Sequence, residues 1–503
     1  MSGLGRLNLR SKSTTRENHH LAGVFWDRRF GGPAPLILVT VIRGLVIGVG
    51  CAGCGGDAPP APVPELVRAI DINPDPAIVE VALVATEANV EYETGTTTQV
   101  LAYRDANADV PASVPGPTIE AKVGDRLIVH FKNELATRET TIHWHGLRLP
   151  IEMDGDPAVS GAVPPGGTFE YDFVLRDAGL YWYHPHVETD EQIELGLQGA
   201  LLVRDRVEPT FAIERTFLID DIDLADDGEL RLEPSHEDLV LGRRGAALLV
   251  NGKAPGSIHA AAGSVERWRI ANTSNGRFFD LRLDGLPLRV IGWDGGLIPA
   301  PYDVDHLVVA PGERYDLAVA LDRSSGVTVA LQTLEIARGH SGVDRGPLDL
   351  VTVVLDGEPR ERDVLPTVGP TLARLPVTAQ TTTRRFVLTE QLEGPAGTIF
   401  FINNQRWPLN TALPVNQGDV EIWEIVNDAE AEHPVHVHGH FFELLDRDGA
   451  PEMRQGLKDT VVLGAKSTIR AALRYDEPGK WMFHCQIPEH AERGMTADVN
   501  VVP

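Results

Sequence analysis

Cys485, His490 and Met495 lie near the C-terminus, with the imidazole five and the thioether ten residues beyond the thiol. Donors of these types at this spacing can ligate one copper ion. A Cys/His/His site with a weak axial Met is the geometry of blue-copper electron transfer. The second imidazole must come from elsewhere, and His433 in His433-Pro434-Val435-His436-Val437-His438-Gly439-His440 is the evident source. Two further His-x-His pairs, His143/His145 and His184/His186, imply that more than one copper is bound.

Strand geometry explains the pairing. Successive side chains on a strand point to opposite faces, so residues i and i+2 share one. His143/His145, His184/His186 and His436/His438 can each present two imidazoles to one cavity. By the same rule His484 and Gln486 face one way and Cys485 the other. A thiolate site and a second metal centre are thereby held on covalent neighbours. Ten of the 17 histidines fall in these motifs. The scattered ones, His19, His20, His130, His236, His259, His306 and His340, read as surface or satisfied core residues.

The positioning elements repeat at long period. A ten-residue frame running from Gly to Asn occurs as Gly124–Asn133, Gly263–Asn272 and Gly418–Asn427, and each copy alternates with period two like a half-buried strand. A His-x-His-Gly run follows the first and third copies, as His143–Gly146 and His436–Gly439. The middle copy has no histidine over residues 277–285 and reads as a spacer. Gly179-Leu180-Tyr181-Trp182-Tyr183-His184-Pro185-His186 parallels Gly479-Lys480-Trp481-Met482-Phe483-His484-Cys485-Gln486, which sets Gln486 in the place of His186. Short alternating strands between turns predict an all-β chain of sandwiches or barrels. The expected divisions are 1–65 (leader and Pro-rich linker), 66–206, 207–364 and 365–503.

Composition narrows the function. A formal charge of −27 argues against nucleic acid and anionic membrane surfaces as partners. Of the three cysteines, Cys51 and Cys54 adjoin the apolar run 36–49, so the folded part keeps one thiol and no internal disulfide. That run is short for a bilayer span and ends in small residues before a cysteine, which resembles a lipoprotein processing site. Export is expected, with Cys51 or Cys54 as the lipid-anchored residue. The sequence does not fix the oligomeric state, and a monomer is compatible with it.

From about Ala69 to Val502 the chain resembles the multicopper oxidases, the family of laccases and bacterial periplasmic copper oxidases. The resemblance rests on His-Trp-His-Gly, His-x-His, His-Pro-x-His-x-His-Gly-His and His-Cys-x-x-x-x-His with a later Met. It implies three consecutive cupredoxin domains, a type 1 copper in the third, and a trinuclear cluster between the first and third. It further implies that His433, Cys485, His490 and Met495 hold the type 1 copper and that His143 and His436 hold the type 2 copper. His186, His438 and His484 then hold one type 3 copper, His145 and His184 the other. His440 completes the motif without being a ligand.

Two positions depart from the pattern. A histidine normally follows the family's Cys, and here it is Gln486, whose amide oxygen is a far poorer copper ligand. Some bacterial members carry a proton-relaying glutamate directly after the second type 1 histidine. Here that residue is Ala491, with Glu489 and Glu492 nearby but expected to point elsewhere. Asp154 resembles the acid that helps deliver protons to the cluster, although an Asp-Gly pair serves equally as a turn.

The implied activity is one-electron oxidation of a small reductant coupled to reduction of dioxygen to water. With five methionines and no Met-rich insert, phenols and aromatic amines are favoured and cuprous ion stays open. The rival readings are a copper nitrite reductase, a copper-binding or resistance protein, and an envelope scaffold with an impaired cluster.

Overall fold

The computed structural model describes residues 60–503 apart from 94, 357–363 and 394–396. Cys51, Cys54 and the apolar run before them lie outside the described residues. None of the described helices is long and apolar enough to cross a membrane. Strands dominate, arranged as three successive pairs of facing sheets.

Each repeated frame is a strand: Arg126–Asn133, Val265–Asn272 and Val420–Asn427. All three sit in the same surroundings. Each pairs in parallel with an earlier strand, Ile78–Glu93, Glu214–Ile222 or Thr383–Gln391. Each also pairs antiparallel with a later one, Thr168–Val174, Arg314–Ala320 or Thr468–Arg474. The glycine that opens the frame has φ of +91°, +78° and +87° at Gly124, Gly263 and Gly418, a turn conformation that side chains resist.

The closing asparagine has a structural task. Asn133 Nδ2 donates to the carbonyls of Arg138 and Val163 while its Oδ1 accepts from Leu135 N. Asn272 does the same with Arg277, Val309 and Ser274, and Asn427 with Ala431, Gly464 and Ala429. A buried amide with both ends satisfied ties the loop after the strand to its neighbour. In the first and last copies that loop leads directly into the histidine strand.

Burial follows the alternation. In Arg126–Asn133 the inward residues Leu127, Val129 and Phe131 are buried, with Arg126 and Lys132 exposed. The buried apolar side chains of the first and last repeats form one continuous cluster, including Trp144, Tyr183, Trp423 and Phe483. The middle repeat has its own, around Trp268, Phe279 and Leu317. Gly479 packs on Ile151, and Arg148 bridges Asp177 and Asp476, at 2.6 and 2.7 Å. The histidine strands of the outer repeats are thus held face to face.

Candidate metal centres

His433 opens the strand His433–Val437, and Cys485 closes its neighbour Gly479–Cys485. The antiparallel register sets Val435 opposite Cys485 and His436 opposite His484. After Cys485 the chain turns into the short helix Pro488–Glu492, begun by a proline at its first turn, which brings His490 back over the sulfur. His433 Nδ1 and His490 Nδ1 each lie 3.6 Å from Cys485 Sγ and 3.2 Å from one another. Met495 is fully buried beside them. Its N–H donates to His490 O and its carbonyl accepts from Cys485 N.

The second nitrogen of His490 is committed outside the group. Its Nε2–H donates to the backbone carbonyl of Val240, 3.1 Å away in the helix His236–Leu241, and Phe400 stacks on the ring at 4.1 Å. That bond fixes the tautomer and leaves Nδ1 as a lone pair facing the sulfur. Burial pushes the Cys485 thiol up and takes His433 down to about 3, so both imidazoles are neutral at pH 7.

The second centre lies where the outer repeats meet. His143 and His145 form the strand His143–His145, paired antiparallel with Gly179–His184 so that His143 stands opposite His184. His186 Nε2 and His438 Nε2 approach His484 Nε2 at 3.4 and 2.9 Å. His143, His145 and His184 form another group with donor atoms within 4.8 Å, and His143, His436 and His438 a third. Gln486 reaches this region too. Its side chain lies with His145 Cε1 against Gly312 of the middle repeat.

Most of these imidazoles spend one nitrogen on an acceptor outside the cavity. His143 Nδ1 donates to Asp154 O and His438 Nδ1 to Asp154 Oδ2, both at 2.8 Å. His184 and His484 donate to the carbonyls of Pro185 and Cys485. His436 Nδ1 donates to Asp459 O at 3.0 Å, and His145 Nε2 faces Asp459 Oδ1 and Thr460 Oγ1 at 3.2 and 3.1 Å. The opposite atoms, His143 Nε2, His145 Nδ1, His184 Nε2, His436 Nε2 and Gln486 Oε1, are buried without partners. Burial holds His145, His184, His186, His438 and His484 well below the usual imidazole range. Several neutral lone pairs converging with no proton between them repel one another unless a cation fills the space. Both donor sets fit copper.

His440 belongs to neither group. Its Nδ1 donates to His438 O, and its ring lies edge-on to Trp481.

A cavity of ≈ 250 Å³ reaches the second centre, lined among others by His184, His186, His484, Gln486, Asp156 and Glu492. Glu489 points away from the cluster as expected, toward Arg243 and Asn275 of the middle repeat. Glu492 does not. It lines this cavity, with its Oε1 accepting from Thr189 N.

Reading the middle repeat as a spacer also needs correction. It supplies the Val240 carbonyl, Gly312 and the guanidinium of Arg314, whose Nη1 donates to Asp459 Oδ1 at 2.6 Å. Motif reasoning missed Arg314, Asp459 and Thr460. The available signal was charge in an apolar setting, Lys458-Asp459 before Thr460-Val461-Val462-Leu463.

Models of the multicopper oxidase family match residues 86–208, 226–330 and 373–503. The multicopper oxidase MmcO of Mycobacterium tuberculosis is 29% identical over 429 residues, 78% of this chain and 82% of its own. The cell division protein FtsP of Escherichia coli is 30% identical over 415 residues, covering 77% and 84%. The crystal structure of a variant of the McoA multicopper oxidase from Aquifex aeolicus superposes with a TM-score of 0.78 at 26% identity, over 88% of this chain and all of that one. The chain belongs to the multicopper oxidase family, copper-dependent oxidoreductases that use dioxygen as acceptor, and it carries that family's three cupredoxin-like domains.

Proposed function

We propose that the protein is a laccase-like oxidase that takes electrons singly from a small organic reductant and reduces dioxygen to water. The observation that carries this reading is the juxtaposition of a Cys/His/His group with a set of converging imidazoles through two consecutive residues, Cys485 and His484. In this reading His433, Cys485, His490 and Met495 hold the type 1 copper. His143 and His436 hold the type 2 copper, and His186, His438 and His484 one type 3 copper. His145 and His184, with Gln486 beside them, hold the other. When bound, copper supplies the one-electron chemistry and the activation of dioxygen.

The chain's own part is positional. Cys485 and His484 join the two centres by one peptide unit, closed further by the bond from His484 Nδ1 to Cys485 O at 2.8 Å. Asp154 orients His143 and His438 and stands at the cluster as the acid that passes protons inward. The cavity lined by Asp156 and Glu492 admits dioxygen and releases water. Both type 1 imidazoles are fully buried, so the reductant delivers electrons through the protein surface above them. Phenols and aromatic amines fit this demand, with cuprous ion as the alternative donor. The leader supports export, with an anchor at Cys51 or Cys54.

Gln486 favours one second reading, a copper-binding envelope protein with an impaired cluster. Nitrite reductase is disfavoured because the His186/His438/His484 group has no use in a two-site enzyme. Copper content per chain, with dioxygen uptake on a phenol and on cuprous ion, separates these. Cys485→Ser should abolish the blue colour and the uptake together, and a blue variant would remove the type 1 assignment.

A further inference from the structure

The structure assigns Asp459, clamped by Arg314 of the middle domain, as the positioning residue of His145, through its carboxylate, and of His436, through Thr460 and its own backbone carbonyl. The assignment rests on the copper-cluster reading above and concerns what holds two of its imidazoles. Three observations carry it.

The first is the geometry around the carboxylate. Asp459 Oδ1 lies 3.2 Å from His145 Nε2, and Thr460 Oγ1 bridges the same carboxylate oxygen (2.9 Å), His145 Nε2 (3.1 Å) and His436 Nδ1 (3.3 Å). The two rings stack at 3.7 Å with an interplanar angle of 12°. Their other nitrogens, His145 Nδ1 and His436 Nε2, are buried without partners. A carboxylate behind a ligating imidazole fixes its tautomer and raises its basicity. Here the carboxylate does so directly for His145, while His436 of the other domain is held by the Asp459 backbone carbonyl and, through Thr460, by the same carboxylate.

The second is the state of Arg314. All five of its N–H groups are used. Two go to Asp459 as a fork; Nε goes to Leu180 O, Nη1 to Gly312 O and Nη2 to Asp294 O. The side chain is 1% exposed. A planar guanidinium satisfied at every donor fixes its partner's orientation as well as its charge. Arg314 donates to both carboxylate oxygens and Thr460 to Oδ1, which holds the carboxylate in place behind His145. The three strands that meet here come from three domains, so the middle domain closes the cluster from behind.

The third is the glycine after the His-x-His pair. Gly146 has φ +92°, and a Cβ there would fall 2.4 Å from Arg314 Nη2 and 2.5 Å from Asp459 Oδ2. The motif's glycine makes room for the fork. The clamp also carries weight for the Gln486 half of the cluster, because His145 is one of only two imidazoles there.

The test compares the parent with Asp459→Asn, Arg314→Lys and Thr460→Val, each titrated with copper against a chelator. The blue band reports the type 1 centre, the paramagnetic resonance of the type 2 copper reports the cluster, and copper content is counted per chain. Cluster copper should be held about 10–100-fold more weakly in the first two variants, with the blue band intact. Thr460→Val should shift in the same direction by less. It decides the matter if the charged-pair variants fail to fold. Equal retention of cluster copper in folded variants overturns the assignment, and so does parallel loss of both centres. A parent that binds no cluster copper would instead sink the proposed function.

Discussion

Replacing Gln486 with histidine tests the cluster where its ligand set is poorest. The side chain is 3% exposed, its Oε1 has no partner, and it lies with His145 against Gly312 and lines one cavity with His184, two imidazoles that each keep an unpartnered nitrogen. A buried amide oxygen left unsatisfied costs about 1–3 kcal/mol, and an imidazole nitrogen in its place carries a similar cost. The copper-free variant should therefore unfold within about 1 kcal/mol of the parent. Copper separates them. Removing even an outer partner of a ligand weakens a site by about 10–100-fold. Gaining an inner imidazole should tighten this site by at least as much, about 1.4–2.8 kcal/mol. Both proteins are equilibrated with copper buffered by a chelator, and copper per chain and dioxygen uptake with a phenol are measured. The parent should lose one cluster copper at a free-copper level at which Gln486→His keeps it, and uptake should rise in the variant. Superimposable titrations would refute the argument that the amide is a deficient ligand.

Asp154→Asn keeps an acceptor for His438 but removes the charge. Dioxygen uptake should fall about 10–100-fold with the blue band unchanged, and an undiminished rate would return Asp154 to a turn residue. Burial raises the Asp156 carboxyl to about 6, so the native state holds its proton where the unfolded chain, near 4, has released it. Its contribution is complete below about pH 4 and lost as pH rises toward 6. Asp156→Asn should thus stabilise the protein by up to about 3 kcal/mol at pH 7 and leave it unchanged at pH 4. Denaturant midpoints at the two pH values read this directly, and an equal shift at both contradicts it. Gly146→Ala should cost about 3 kcal/mol or more by forcing apart the Arg314–Asp459 fork. A midpoint that barely moves would show that the fork yields cheaply.

The fold was legible because its signals are local. The Gly-to-Asn frames map onto three equivalent strands, and the asparagine that looked like punctuation ties each following loop. The grouping of the histidine pairs was legible because strand periodicity sets i and i+2 on one face. What escaped was anything decided by packing between repeats. Nothing near Arg314 or Asp459 in the chain hints that they meet, since 145 residues separate them. Val240 acts through its backbone carbonyl, which no side chain announces. Glu492 was misjudged because the helix Pro488–Glu492 turns it toward the cavity, a rotation that strand alternation does not describe.

The donors that meet at His484 include His186, 298 positions earlier. A ribosome must therefore finish nearly the whole polypeptide before that metal pocket exists, and a half-made chain offers only His143, His145, His184 and His186. In the proposed reading, cluster metallation comes late, in the order the chain imposes. A truncation that removed the final strands would leave a β protein with nowhere to assemble its oxygen chemistry, however well its first domain folded.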